Sequence, residues 1–358
     1  MRVLALASYP IESAATRFRI DQLRPALAQQ GIDVELSPFL DAPAYCALYD
    51  RRRIAATVAG ASRGLARRVR DVCSVRRYDA ILVQREAMLA GPAVCEALIT
   101  GAAHIPMVLD LDDATWVGYD SPTYGRVARW AKRPAKTLAL IDRASIVTCG
   151  APAIVDFVAR RGAVSRLLPP AVDTDQYRPH ERPGGELIVG WIGTHSTWQY
   201  LEPLLPMLRS LAAEVPFRLR LVGAAATHVS VGPLSIDDLA WSLAREPQDF
   251  ASLDVGLYPL HDDAWARGKS GLKSVQYLAC GVPFVASPVG GAAEIGEPGI
   301  THLHATTPEQ WRTCLHRLLT DASLRARMGQ AGRARAQAHH TVEHAADAMA
   351  EALAEAVG

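Results

Sequence analysis

Short apolar runs rich in Val, Ile and Leu alternate along this chain with longer stretches whose apolar residues recur at helical spacing. The runs at 3–8, 33–38, 80–84, 106–111, 145–149 and 164–168 read as strands of a first half, and those at 187–192, 217–222, 255–259 and 283–287 as strands of a second. Each run of the second half is bounded by Gly or Pro. Between the strands lie amphipathic segments such as 17–30, where the apolar residues Phe18, Leu23 and Leu27 recur at helical spacing, and the alanine-rich 342–357 closes the chain as a further helix. Strands alternating with helices predict α/β architecture, with parallel sheets wrapped by helices.

The two halves meet at 178–185, where two prolines, two glycines and several charged residues leave little to pack, as in a linker. The expected organisation is a first domain over 1–180, a second over 181–338, and a C-terminal helix over 339–358 that packs back on the first. Open α/β sheets bind ligands beyond the carboxyl ends of their strands. Residues just after Ser8, Leu109, Ile192, Val222, Pro259 and Ser287 are therefore the places to search, and a cleft between two domains is the expected site.

The length of 358 residues suits two cores rather than one, and apolar residues at 49 % are sufficient to fill both. A formal net charge of +1 gives no global field for nucleic acid. The six cysteines, Cys46, Cys73, Cys95, Cys149, Cys280 and Cys314, form no C-x-x-C pair and no zinc spacing, which fits a reduced cytoplasmic protein. The run after Met1 is too short for a signal peptide, and no window approaches the roughly 18 apolar residues of a membrane span.

Chemistry concentrates in 266–281. Here a Gly/Lys/Ser loop opens a helix with Leu272, Val275 and Leu278 on its apolar face, and Gly281-Val-Pro stops it. A helix N-terminus with Lys269 and Lys273 nearby suits a diphosphate. Gln276, one turn beyond Lys273, is placed for the hydroxyls of an attached ribose. The plainer alternative is a capped helix with solvated lysines. The first half offers 8–19, where Arg17 and Arg19 sit on what reads as a helix's first turn, against its dipole. It also offers Leu109-Asp-Leu-Asp-Asp-Ala-Thr-Trp116 at a strand end. Asp110 and Asp112 there can bond substrate hydroxyls, cap the next helix, or hold a divalent metal. Two basic stretches, 51–77 and 126–136, nearly free of acids, suit an anionic membrane surface or are simply solvated helix faces.

Taken together, 254–260, 266–287 and Ser287-Pro-Val-Gly-Gly-Ala-Ala-Glu-Ile295 resemble the donor-binding half of glycosyltransferase family 4. Pro169-Pro-Ala-Val-Asp-Thr-Asp-Gln-Tyr-Arg-Pro179 resembles that family's lead into its interdomain linker, and 321–332 its helical tail. The likeness spans nearly the whole chain and is strongest over 187–335. It implies the GT-B fold, two Rossmann-like domains facing across a cleft, and a retaining transfer of a hexose from a nucleotide diphosphate sugar, UDP in preference to GDP. It implies no cofactor and no metal.

On this resemblance Asp110, Lys269 and Lys273 would be catalytic. Gly193, Thr194, Gly268, Ser270, Gly271, Gln276, Gly290, Gly291 and Glu294 would bind the donor. Arg17, Arg19, Asp112 and Asp113 would receive the acceptor: a saccharide, a lipid-linked sugar or a small-molecule hydroxyl. Peripheral membrane contact is open, and nucleic acid is not a partner. The chain departs from the family at three points. Gly268 and Gln276 stand where the family commonly has two glutamates, as in a subset of polysaccharide-building members. No histidine stands near Asp110, and Thr194 to Thr197 replace a basic phosphate contact after Gly193. Rival readings are a two-domain isomerase or phosphorylase, and a nucleotide-sugar-binding partner subunit without activity.

Overall fold

The computed structural model of the protein describes residues 1–48, 50–118, 133–180, 184–194, 196–224 and 234–358, with Arg51 as backbone only. They divide into two compact units. The first comprises 1–170, 268–270 and 342–358, and the second 171–267 and 271–341.

In the first unit, β1 (Arg2–Ala7), β2 (Asp33–Pro38), β3 (Ala80–Gln84), β4 (Met107–Leu111), β5 (Ile146–Cys149) and β6 (Ser165–Leu167) form one parallel sheet in the order β2-β1-β3-β4-β5-β6. β3, β4 and β5 are buried along their whole length, as strands covered by helices on both faces must be. The Val342–Val357 helix belongs to this unit, burying Ala345, Ala346, Met349 and Leu353. Gln30 to Asp347 (2.7 Å) and Arg166 to Glu355 (2.8 Å) tie down its polar face.

In the second unit, β7 (Ile188–Ile192), β8 (Arg218–Val222), β9 (Ser235–Leu239), β10 (Val255–Tyr258), β11 (Phe284–Ala286) and β12 (Leu303–His304) are also all parallel, in the order β12-β11-β10-β7-β8-β9. Its core gathers Trp191, Phe217 and Trp311 around Leu and Val side chains from strands and helices. Each sheet starts at an interior strand, β1 or β7, and extends from it in both directions. That is the Rossmann-like pattern, and it puts a topological switch point between β1 and β3 and another between β7 and β10.

The ten strands read from the sequence are all present. β9 and β12 were not foreseen: β9 is the edge strand Ser-Ile-Asp-Asp-Leu, only partly buried, and β12 has two residues. The single helix expected over 17–30 is broken into Ala14–Arg19, a 3-10 turn at Asp21–Leu23, and Arg24–Gln29. Pro25 explains the restart, because it lacks an N–H and fits only a helix's first turn.

The carboxyl ends of β1 and β2 and the chain after β3 are fastened by one side chain, Arg68 of the Ile54–Ser74 helix. Its Nε donates to Ala87 O (2.8 Å), Nη1 to Ser37 Oγ (3.0 Å) and Asp71 Oδ2 (2.8 Å), and Nη2 to Ala7 O and Ser37 O (2.9 Å each). All five guanidinium hydrogens are used. Removing the cation alone would leave Asp71 buried without a counter-charge. Arg68→Met should therefore lower unfolding free energy by about 3–5 kcal/mol in a urea titration. A loss under about 1 kcal/mol, the scale of an exposed ion pair, would show that Arg68 is not the fastening.

Candidate active site

Strand register sets Gln84, Asp110 and Thr148 side by side across β3, β4 and β5, and all three are buried. Thr148 Oγ1 donates to Asp110 Oδ1 at 2.7 Å. Arg19 grips the same carboxylate through Nε to Oδ2 (3.0 Å) and Nη2 to Oδ1 (2.5 Å), and its Nη1 donates to Leu168 O (2.6 Å). Asp110 is 0 % and Arg19 4 % exposed. Burial acts to lower the Arg19 guanidinium's pKa, but Asp110 more than reverses this and holds it above its ordinary value. The sequence assigned Asp110 to catalysis and Arg19 to the acceptor. The fold makes them partners of each other, Asp110 on β4 and Arg19 at the end of the Ala14–Arg19 helix, both buried. Arg17 donates from Nη1 to Ile11 O (2.9 Å) and Glu12 O (3.3 Å), bracing its own loop. Both arginines lie in the last turn of Ala14–Arg19, where cations favour the helix dipole, so the dipole argument drawn from the sequence is reversed.

Beyond β3 and β4, Arg85 acts as a fork. Its Nε donates to Asp112 Oδ1 (2.5 Å), and its Nη2 to Asp112 Oδ2 (2.7 Å) and Asp113 Oδ2 (2.6 Å). Gln84 Nε2 adds a bond to Asp112 Oδ1 at 3.0 Å. Arg85 adopts φ +61°, unusual for a side chain of this size, while its N–H donates to Asp110 O at 2.9 Å. Burial pushes Asp112 towards the neutral acid. The charge and hydrogen bonds of Arg85, helped by Arg19, outweigh that and hold the carboxyl below the usual range. Burial likewise opposes the Arg85 cation, and Asp112 and Asp113 lift it well above its ordinary value. Nearby, Lys136 Nζ donates to Glu86 Oε2 (2.9 Å) and Met88 O (2.6 Å).

Segment 268–270 groups with this unit. Lys269 Nζ stands 4.0 Å from Asp113 Oδ1. A Cβ on Gly268 would lie 2.3 Å from Ala114 Cβ and 3.0 Å from Ala114 N. No side chain fits there without a shift of Ala114, which gives a steric reason for glycine at this position. Ser270 packs against Gly150, so closely that a Cβ on that glycine would meet Ser270 Cβ at 2.9 Å.

In the second unit, Gly271 (φ +81°) starts the Leu272–Ala279 helix. A Cβ on it would meet the Gly291 carbonyl carbon at 2.7 Å, so the Gly290-Gly291 turn and the helix N-terminus touch through bare backbone. Lys273, in the helix's first turn, places Nζ 5.1 Å from the Trp191 ring centroid and 5.4 Å from that of Tyr258. Trp191 is on β7 and Tyr258 on β10, so this cation stands over the switch point. Thr194 follows Gly193 at the end of β7 and is exposed; its hydroxyl lies 2.7 Å from Ser196 Oγ. Glu294 ends the short Gly291–Glu294 helix and is exposed.

Gln276, expected at a ribose, has internal partners in this fold. It is 2 % exposed, and its Nε2 donates to Tyr177 Oη (3.1 Å) and Glu246 Oε1 (3.0 Å), which uses both amide hydrogens. The C-terminal end of the helix is closed by Gly281 N to Leu278 O and Val282 N to Tyr277 O, a Schellman pair. Arg333 adds donors to Ala279 O, Tyr177 O and Thr174 O.

Sequence reasoning missed Arg85, Lys136 as a buried cation, and the Trp191–Tyr258 platform. Polar Gln84-Arg85-Glu86 directly after an apolar strand was a usable signal for the first. Of the basic stretch 126–136, residues 126–132 lie outside the described residues, and Lys136 is buried rather than presented to a membrane. The linker residues 181–183 and His195 are also outside the described residues. Around the end of β4, the carboxylates of Asp110, Asp112, Asp113 and Glu86 each have a cation close by: Arg19, Arg85, Arg85 with Lys269, and Lys136. Among the described residues no group of three or more His, Cys, Asp or Glu side chains converges as metal ligands would.

Residues 205–351 match a family model described as glycosyl transferase-like. A D-inositol 3-phosphate glycosyltransferase of Stackebrandtia nassauensis is 28 % identical over 212 residues, covering 51 % of this chain. The match takes in 46 % of that protein, so the chain spans about half the length of the curated relative it matches. Anabaena HepE, solved in complex with UDP-glucose, superposes with a TM-score of 0.69 at 18 % identity over 99 % of both chains. A glycosyltransferase of Rickettsia africae ESF-5 gives 0.71 at 12 % identity, over 99 % of this chain and 98 % of that one. These likenesses show the fold, two Rossmann-like domains of GT-B type.

Because the folded Asp112 pKa is depressed, its stabilisation is present above the unfolded value of about 3.9 and lost as pH falls through the folded value. Arg85→Met leaves the burial of Asp112 unopposed by its main cation. It should cost about 3 kcal/mol at neutral pH, and the gap to wild type should narrow on acidification towards about pH 4. Urea unfolding across that range measures it, and a gap independent of pH would overturn the assignment. Gly268→Ala should cost about 1–3 kcal/mol, with partial recovery on adding Ala114→Gly. Absence of recovery would place the strain elsewhere.

Proposed function

We propose that the chain transfers a hexose from a nucleotide diphosphate sugar, a UDP-sugar before a GDP-sugar, to a hydroxyl of a saccharide, lipid-linked or small-molecule acceptor, as a retaining member of glycosyltransferase family 4. The observation that carries this reading is Lys273. It combines a positive charge, a helix N-terminus and a switch-point aromatic platform in one place. The close backbone contact of Gly271 with Gly291 holds the Gly290-Gly291 turn against that helix N-terminus. The UDP and UDP-glucose complexes of Anabaena HepE, a structure of the same fold, support the ligand class.

In this account Lys273, the helix N-terminus and Lys269 stabilise the diphosphate as its negative charge develops on departure. Gly193, Thr194, Ser270 and the Gly290-Gly291 turn line the donor, with Glu294 towards its sugar. Asp112 and Asp113, oriented by Arg85, receive the acceptor hydroxyl. Asp110 and Arg19 act at one remove by fixing the end of β4, and Gln276 by fixing Tyr177 and Glu246. No metal is required, because the carboxylates are already neutralised by the protein's own cations. A second reading, a nucleotide-sugar-binding subunit without turnover, is favoured by Gly268 and by the engagement of Gln276 where glutamates are common.

Lys273→Ala should weaken UDP binding by about 1.5–3 kcal/mol in titration calorimetry, and unchanged affinity would remove Lys273 from the site. Release of UDP from UDP-sugars by the wild type, accelerated by an acceptor, separates the two readings. Tight binding with no release across donors and acceptors would leave only the binding subunit.

A further inference from the structure

The Ile54–Ser74 helix buries one side, through Gly60, Gly64, Arg68 and Asp71, and leaves the other uncovered. On that open side Ile54, Val58, Leu65 and Val69 are each 53–65 % exposed. At 100° per residue they fall within an arc of about 60°, a continuous apolar stripe. The Val94–Ala102 helix packs alongside and contributes Val94 and Leu98, both also about half exposed. Six of the ten large exposed apolar side chains among the described residues thus lie on two adjacent helices. Scattered apolar residues on a surface need no explanation, but a concentration of this kind does.

The surroundings of the stripe are basic. Arg52 and Arg53 precede the helix, Arg70 lies round its open side, and Arg76 and Arg77 follow its end, all exposed. None forms a salt bridge among the described residues. Arg63 is paired with Asp41, and the helix's own acid, Asp71, is buried on Arg68. The helix has 21 residues, yet no helix of the protein is long and apolar enough to cross a membrane among the described residues.

We infer that this face lies on an anionic lipid bilayer, with the apolar stripe at the acyl boundary and the arginines among the headgroup phosphates. An apolar stripe flanked by unpaired arginines is the pattern of a helix that rests in the membrane interface. A second copy of this chain fits less well. In a two-fold contact the same patch meets itself, bringing one set of unpaired arginines against another. An anionic surface meets both features at once. The inference is independent of the proposed transfer reaction, because none of these residues belongs to the candidate active site.

Co-sedimentation of the full chain with vesicles tests it, comparing phosphatidylcholine alone with an equal mixture of phosphatidylcholine and phosphatidylglycerol, at low and high salt. Binding should require phosphatidylglycerol and weaken with salt. Arg76→Gln with Arg77→Gln should weaken it roughly 25-fold, about fivefold per charge. Leu65→Ser with Val69→Ser should weaken it at least about tenfold while leaving the net charge unchanged. Both variants should keep the wild-type circular dichroism and melting curve, because every substituted position is exposed. Failure of the wild type to bind phosphatidylglycerol vesicles at low salt overturns the inference. So does a concentration-dependent dimer in sedimentation velocity that Leu65→Ser with Val69→Ser abolishes, since the stripe would then be covered by a second copy.

Discussion

A carboxylate buried in the middle of a parallel sheet can remain charged only if a cation is buried with it, and Asp110 imposes that condition on the first unit. Its desolvation would cost several kcal/mol without the two-point grip of Arg19 and the bond from Thr148. Satisfying it fixes the Ala14–Arg19 helix against the end of β4 and ties in Leu168 beyond β6. The same demand recurs one layer outward, where Arg85 must reach Asp112 and Asp113 together. It accepts a positive φ to do so. The strand ends of this unit are therefore set by charge pairing as much as by apolar packing.

The second unit meets a different requirement: closeness of backbone. Gly271 and Gly291 touch where any side chain would collide, and the Leu272–Ala279 helix begins at that contact. Its other end is fixed by the Schellman bonds and by Arg333. With both ends held, Lys273 has little choice but to stand over Trp191 and Tyr258, on the two strands that diverge at the switch point. Cation–π attraction to these two rings positions the Lys273 ammonium beside the helix N-terminus.

Much of this was legible in the sequence, because parallel strands covered on both faces must be apolar runs, and ten of the twelve strands declared themselves that way. The two others were an edge strand with two aspartates and a two-residue strand, which carry no such run. The Gly/Lys/Ser loop could be placed at a helix start because Gly271 and the apolar positions after it have the right spacing. The partners of Asp110 could not be read, since Arg19 stands 91 residues away and only the sheet order brings the two together. For the same reason Gln276 looked available for a ligand. Its partners Tyr177 and Glu246 lie far from it in the chain, and spacing along one helix says nothing about them.

The function proposed above has the chain meet a diphosphate with its own cations, while the acids near the end of β4 pair with Arg19, Arg85 and Lys136. Calorimetric titration of UDP in the presence of EDTA, and again with manganese or magnesium in excess, tests this directly. The account predicts the same affinity in both, because Lys273 and the helix N-terminus supply the charge. Binding that vanishes in EDTA and returns with the cation would contradict it, and would mean that Asp112 and Asp113 leave Arg85 for a metal ion.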